Sequence, residues 1–408
     1  MSMSTQEFAT HSPGTAALTF DDAYFANPYP TLARLREASP VHRVTTPDGH
    51  PAWLVTREAD VRAGLADPRL ALDKAHARDG YRGFSLPPAL DASLLNRDGA
   101  DHARLRRLVS GSFTPRRVEA LRARVAAIAE GLADRVAGAL AEHGRADLVA
   151  EFAVPLPLAV VGDMLGVPEA DRRAFAQWTT GLLAPRHHEQ AAESVRAIQR
   201  FLVALIAARR AEPGEDLLSA WISARDEDDR LSENELVSMA FLVLLAGIEN
   251  VTHAISHGTV VLLRHPGQLA ALRADADLLS SAVEELLRVA VPAPVAIRRF
   301  ATEDLEIGGV RIPAGDTVML GVASAHRDAA RFTDPDRVDL GRADNPHLAF
   351  GYGPHYCVGA PLARIELRVA FATLLRRFPN LALAVPEDEL RWRPSFRSHG
   401  LLELPVTG

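Results

Sequence analysis

Phe350-Gly-Tyr-Gly-Pro-His-Tyr-Cys357-Val-Gly359 decides the reading of this 408-residue chain, because it holds the only cysteine in the sequence. Three glycines and His355 surround that cysteine. A thiolate is a soft anionic metal ligand, and glycines let backbone N–H groups turn toward it with no Cβ in the way. The next segment, Pro361-Leu-Ala-Arg-Ile-Glu-Leu-Arg368, reads as a helix with proline in its first turn. Its N-terminus then points at the sulfur and favours negative charge there. From the residues alone, the loop looks built to hold one thiolate against a metal. Two other readings stay open at this point. A lone cysteine is commonly a small buried hydrophobe. A cysteine nucleophile would take a histidine base, with His355 two positions away, and an orienting group.

The order Phe-Gly-x-Gly-x-His-x-Cys-x-Gly resembles the haem-binding loop of the cytochrome P450 family, where cysteine thiolate is the iron ligand. The resemblance runs from Asn27-Pro28-Tyr29-Pro30 to Leu401-Leu-Glu-Leu-Pro405. It implies the P450 fold, mainly α with a small β-rich lobe, as one haem-thiolate monooxygenase domain over residues 1–408. It implies haem b (iron protoporphyrin IX) as cofactor, with Cys357 as metal ligand and Phe350, Gly351 and Gly359 shaping the cofactor loop.

Bulk composition agrees with an enzyme of this kind. Hydrophobic residues make up 48% of the chain and charged residues 24%, enough for a large core and a water-compatible surface. The net charge of −7 argues against nucleic acid as the main partner. A single cysteine excludes an internal disulfide framework, which fits a reducing cytoplasm. Met-Ser-Met-Ser-Thr-Gln-Glu at the start has no charged-then-apolar signal pattern. The longest uninterrupted apolar run, residues 239–248, is too short for a bilayer, so no membrane association is expected.

Helical periodicity covers residues 116–143, 191–210, 280–290 and 361–377. Residues 41–56 alternate around Pro47-Asp48-Gly49, a hairpin signal, and residues 305–320 do so around Gly308-Gly309 and again at Pro313-Ala314-Gly315. Pro155-Leu-Pro157 and the stretch 184–188 read as breaks between helices, with His187-His188-Glu189 an exposed loop. Ser232-Glu-Asn-Glu235 is a capping box that opens a helix running to Arg264, where His265-Pro266-Gly267 stops it. Such a helix spans roughly 45 Å and crosses a whole domain.

Midway along it lies Ala246-Gly-Ile-Glu249-Asn250-Val-Thr252, similar to the family's oxygen-activation stretch Ala-Gly-x-Glu/Asp-Thr-Thr. The resemblance implies that Ala246 and Gly247 leave room for substrate and O2, and that Glu249 serves proton delivery. Asn250 departs from the pattern by standing where threonine is usual. Thr252 is no substitute, since two positions along a helix turn about 200° toward the opposite side. Proton handling then uses Asn250, water or a substrate hydroxyl, or the outcome differs from plain hydroxylation.

Three more sets follow from the resemblance. His102 and Arg106, one helical turn apart, are implied to hold the haem propionates together with Arg299 and His355. Glu285, Arg288 and Arg337 are implied to form a structural lock behind the cofactor loop. His253 and His257, also one turn apart, lack the acid and third ligand of a zinc site and read as packing or surface residues.

The implied activity is insertion of one atom of O2 into a medium-sized, mostly hydrophobic secondary metabolite, by hydroxylation or epoxidation. Segments 85–95, 178–183, 242–246, 294–297 and 397–400 are expected to line its pocket. Electrons are expected from a ferredoxin and its reductase, docking on Arg107, Arg116, Arg117, Arg364 and Arg368. A monomer in the cytoplasm is expected. The alternatives are oxidative C–C or C–N bond formation or desaturation, given Asn250, a peroxide-driven enzyme, and a non-catalytic haem sensor.

Overall fold

The computed structural model describes residues 18, 20–81, 86–183, 188–228 and 231–408. The first residues, Ser85 and the break at 184–187 lie outside that set, so expectations placed on them stay there. Helix accounts for 58% of the structure. The helices that position the site are α1 (Glu58–Ala66), α2 (Gly99–Ser110), α3 (Arg122–His143), α4 (Pro155–Met164), α5 (His188–Ala211), α6 (Glu233–Arg264), α7 (Leu279–Val289) and α8 (Ala360–Arg377).

The long helix forms as its sequence predicts. Ser232 Oγ accepts from the Glu235 N–H at 3.2 Å, and the Glu235 carboxylate accepts from the Ser232 N–H at 2.7 Å. The helix then runs 32 residues with one side after another buried, and ends at His265 before Pro266. Its most apolar window has a mean hydropathy of 1.6, long enough on composition to cross a bilayer, yet 61% of that window is buried within the protein. This corrects the reading from uninterrupted apolar runs alone, because small and uncharged polar residues do not interrupt such a window. α6 is the axis of the larger core, packed by α4, α5, α7 and α8.

Elsewhere the helical periodicity needs two adjustments. The stretch 116–143 divides at Leu121 into a short helix, Pro115–Ala120, and α3, which ends on Gly144 at φ +69°. His188 and Glu189 belong to α5 instead of an exposed loop.

A smaller apolar core lies under the β-rich part. Strands β1 (Val41–Thr45) and β2 (Pro51–Val55) form the expected antiparallel hairpin, with Gly49 at φ +81°. β3 (Leu70–Ala71), β5 (Arg299–Ala301) and β8 (Thr317–Leu320) complete a five-stranded sheet in the order β1-β2-β8-β5-β3. β4 (Ala146–Asp147), β9 (Ala382–Leu383) and β10 (Pro405–Thr407) make a second sheet. β6 (Leu305–Ile307) and β7 (Val310–Ile312) turn on Gly308-Gly309, both at positive φ as a two-residue hairpin requires. The turn at Pro313-Ala314-Gly315 does not return the chain onto β7. Gly315 donates to the Ala301 carbonyl at 2.7 Å and hands β8 to β5 and, in parallel, to β2. β8 and most of β2 are consequently buried, as strands with neighbours on both edges are.

Candidate active site

The cysteine loop sits where the two cores meet. Gly351 and Gly353 take φ +73° and +74°, which a side chain would strain. Gly353 has a second constraint, since a Cβ there would lie 2.9 Å from Ala66 Cα in α1. The Cys357 N–H donates to the Phe350 carbonyl at 2.8 Å, closing the loop. Phe350 lies against the Arg364 guanidinium, 4.5 Å from its ring centre, and Arg364 in turn holds Glu284 of α7 through bonds of 2.7 and 2.8 Å. The loop is thus tied down from both sides.

Cys357 opens into the cavity. Burial pushes its thiol up, while the N–H groups of Gly359 and Ala360 and the charges of Arg106 and Arg364 pull the other way. Those N–H groups belong to the first turn of α8, so the helix start does face the sulfur. Gly359 leaves the thiolate room: a Cβ there would be 3.8 Å from Sγ, an ordinary contact.

The cavity holds about 1410 Å³. Sites for one small ligand run to roughly 300–1,000 Å³, so this one has room for a large cofactor and a substrate. Cys357, Phe350, Gly351 and Gly359 line it together with Ala246, Gly247, Glu249 and Asn250 of α6. On another wall stands His355, with the buried His102 behind it, their ring centres 3.9 Å apart. His102 Nε2 and His355 Nδ1 are buried without a hydrogen-bond partner, as is Nε of Arg299. Burial, with His355 and Arg106 acting the same way, pushes His102 down to about 4. Asp98 gathers the group, 3.6 Å from His355 Nε2. The fork of Arg299 is spent on the Leu70 and Leu65 carbonyls at 3.0 and 3.2 Å. Arg106 lines the cavity within the field of Cys357. Buried donors without acceptors beside an open thiol fit a planar cofactor that bears carboxylates and a thiophilic metal.

On α6, Ala246 and Asn250 face the cavity. Gly247 has a packing role that its spacing did not reveal, because a Cβ there would stand 2.8 Å from Val161 Cγ2 of α4. Thr252 turns away as expected and donates to the Ala153 carbonyl at 3.1 Å. Glu249 is held by two side chains: Arg393 at 3.4 Å and His253 Nε2 at 3.7 Å. Burial alone would raise its carboxyl, but His253, Arg393 and Ser398 hold it below the usual range. Arg393 lies 144 residues away and had no local signal to mark it. His253 and His257 are interior packing residues, and among the described residues no group of three ligating side chains could hold a metal ion.

The lock behind the loop needs one correction. Glu285 and Arg288 are fully buried and joined by two 2.8 Å bonds. Arg337 lends only its backbone carbonyl, which accepts from Arg288 at 3.1 Å. Its side chain is 64% exposed and pairs with Asp339. Arg342 supplies the third side chain, with Nε 3.3 Å from Glu285 and only 9% of the side chain exposed. The cavity also takes charge from outside the expected segments, since Arg298 and Arg393 line it beside Leu182, Leu183, Val295, Ala296, Ile297 and Arg397. Arg364 is not a free docking cation, being committed to Glu284.

This combination of a mainly helical fold, a glycine-rich thiol loop and a large cavity crossed by one long helix fits a haem protein. The chain matches the profile of the cytochrome P450 family over residues 173–395, more than half its length. It is 46% identical to the cytochrome P450 monooxygenase PikC of Streptomyces venezuelae, covering 98% of this chain and 96% of that protein. It is 42% identical to 6-deoxyerythronolide B hydroxylase of Saccharopolyspora erythraea, over 94% and 97% of the two chains. A solved structure described as the putative thioether synthase SgvP of griseoviridin tailoring superposes with a TM-score of 0.85 at 40% identity, covering 93% of this chain and 96% of that one. The protein belongs to the cytochrome P450 family and is a P450 monooxygenase, an oxidoreductase that uses haem, O2 and a redox partner on a small molecule.

Proposed function

We propose that this chain, as one catalytic unit over residues 1–408, oxidises a medium-sized, mostly hydrophobic secondary metabolite by hydroxylation or epoxidation. Haem b is the proposed cofactor, and Cys357 would hold its iron. The observation that carries this reading is the open Cys357 sulfur facing the cavity with the Gly359 and Ala360 N–H groups behind it. When bound, a thiolate-ligated haem supplies O–O cleavage and the oxidation itself.

The chain's own residues do the rest. Burial pushes the Cys357 thiol up, and the helix start with Arg106 acts against that, so the site would favour the thiolate once a metal is bound. His102, His355 and Arg299 offer unpartnered nitrogens to the cofactor's carboxylates, and Arg106 adds positive charge nearby. Ala246 keeps one wall low for substrate and O2. Glu249, ionised between Arg393 and His253, carries protons inward, and Asn250 beside it orients a water or a substrate hydroxyl. The lock of Glu285, Arg288 and Arg342 holds the loop in register. Arg107, Arg116 and Arg117 remain exposed, the last two on a helix packed against α8, and suit an acidic ferredoxin. A cytoplasmic monomer is proposed.

Asn250 supports a second reading: oxidative C–C or C–N bond formation or desaturation, where a reactive substrate replaces delivered protons. Relatives include a hydroxylase/epoxidase acting on mycinamicin IV and an enzyme described as forming a C–S bond. The absorption spectrum of ferrous protein under carbon monoxide tests the main reading. The strongly red-shifted band of thiolate ligation is expected in wild type and lost in Cys357→Ser. A wild-type spectrum without that band overturns the assignment. Products of single turnovers with ferredoxin separate oxygen insertion from bond formation.

A further inference from the structure

The cavity contains a half-buried cation that the chemistry above does not use. Arg298 immediately precedes β5, and its guanidinium lies 4.0 Å over the ring of Tyr81 and 5.6 Å from that of Phe300. Its Nε and Nη2 are buried and donate to nothing. A guanidinium is charged at all relevant pH values and carries five N–H donors in a fixed fork. Tyr81 takes one side-chain hydrogen bond from this guanidinium, but leaving Nε and Nη2 buried without a partner is costly, and neither a phenol nor water matches the geometry of a carboxylate.

Among the described residues, the buried carboxylates near it are already committed. Asp91 is committed to Lys74 at 2.6 Å and to Asn96 at 2.9 Å. Asp316 is shared among Arg43, Arg78 and Trp53. Glu249 belongs to Arg393 and His253. Asp48 and Asp79 lie exposed at the rim. A further cation, Arg397, lines the same cavity. Burial, with Arg397 acting in the same direction, pushes Arg298 below its ordinary value, so this corner favours an added negative charge.

Arg298 is also separate from the cofactor-facing cluster. Successive residues of an extended segment point to opposite sides. Arg299 accordingly reaches the Leu65 and Leu70 carbonyls and the field of Asp98, whereas Arg298 meets Tyr81, Phe300 and Arg397. Its neighbours Val295, Ala296 and Ile297 are apolar cavity residues.

We propose that Arg298, held over the ring of Tyr81, is an anion-recognition subsite, and that the substrate is an amphipathic organic acid with an apolar body. This deepens the proposed monooxygenase reading and rests on it for the word substrate, though the subsite itself can be tested without turnover.

The experiment titrates haem-loaded protein with octanoate, dodecanoate and hexadecanoate and with the alcohols of the same lengths. Binding is followed by the haem spin shift and, in parallel, by calorimetry. At one length or more the acid is expected to bind about tenfold more tightly than its alcohol. Arg298→Gln is expected to erase that preference while leaving alcohol affinity within about twofold, and Arg298→Lys to keep part of it. The proposal is overturned if no acid exceeds its alcohol, or if the preference survives in Arg298→Gln. It is equally overturned if that variant loses haem instead of discrimination, which would give Arg298 to the cofactor. Failure of the thiolate reading shows separately, as a missing carbon monoxide band with calorimetric acid preference intact.

Discussion

Removing Arg342 should damage the protein far more than removing Arg337, although the two arginines stand five positions apart in one loop. Arg342 points inward, with Nε 3.3 Å from Glu285, Nη1 2.8 Å from the Thr333 carbonyl, and Nη2 3.2 and 3.1 Å from the Asp334 and Arg337 carbonyls. Hydrogen bonds to charged groups contribute about 1.5–3 kcal/mol, and a partner left buried without one costs about 1–3 kcal/mol. The bonds share one side chain and relax together, so Arg342→Ala should cost about 3 kcal/mol. Arg337 has a side chain 64% exposed and a single partner, Asp339, itself 29% exposed. Such surface pairs are worth roughly 0–1 kcal/mol, so Arg337→Ala should cost about 0.5 kcal/mol. Guanidinium chloride unfolding of both variants, with and without haem, checks the difference through midpoints at constant slope. Equal losses, or a larger loss for Arg337→Ala, would refute the assignment of the third lock residue.

Three further outcomes are expected. Glu284 is buried enough that desolvation would raise its carboxyl, but His347 and Arg364 bring it down to about 2. A carboxyl depressed in the folded state adds stability above its unfolded value, here about 1–2 kcal/mol once solvent screening of a partly exposed pair is allowed for, and loses it as pH falls from about 5 to about 2. The stability gap between wild type and Glu284→Gln should therefore close over that window, and a gap constant with pH would contradict the pairing. Gly247→Ala should lower stability by about 1–3 kcal/mol through its clash with Val161, and Val161→Ala should restore most of it; thermal unfolding without rescue rejects the packing account. Asn250→Ala should reduce product formed per electron pair about tenfold with the substrate spin shift unchanged, and an unaltered ratio would remove Asn250 from proton handling.

The cysteine loop, the capped long helix and the Glu285–Arg288 pair were legible because each is encoded within a few neighbouring residues. Hydrogen-bond caps, glycine φ angles and one-turn helix spacing are local physics. The choice between Arg337 and Arg342 was not local, since an irregular loop has no period that says which side chain turns inward. Arg393 was invisible for a related reason: its bond to Glu249 exists only once the chain near β10 folds back onto α6. The same holds for β8, whose alternation is compatible with a hairpin but whose partners, β5 and β2, are chosen by the sheet. Gly247 carried an ambiguous signal, because a missing side chain can serve an opening or a close contact equally well.

The pairing of β10 with β4 bears on how the chain is made. Leu404 donates to Asp147 across 257 residues, and β10 lies between β4 and β9 in the second sheet. At synthesis rates of roughly 5–20 residues per second, β4 emerges about 13–51 s before its partner exists. α3 and α4 must wait on the ribosome with that edge uncovered, exposed to pairing with other chains. The cysteine loop emerges late in the same interval. The thiol loop is therefore open to a cofactor only after most of the helical core has been made.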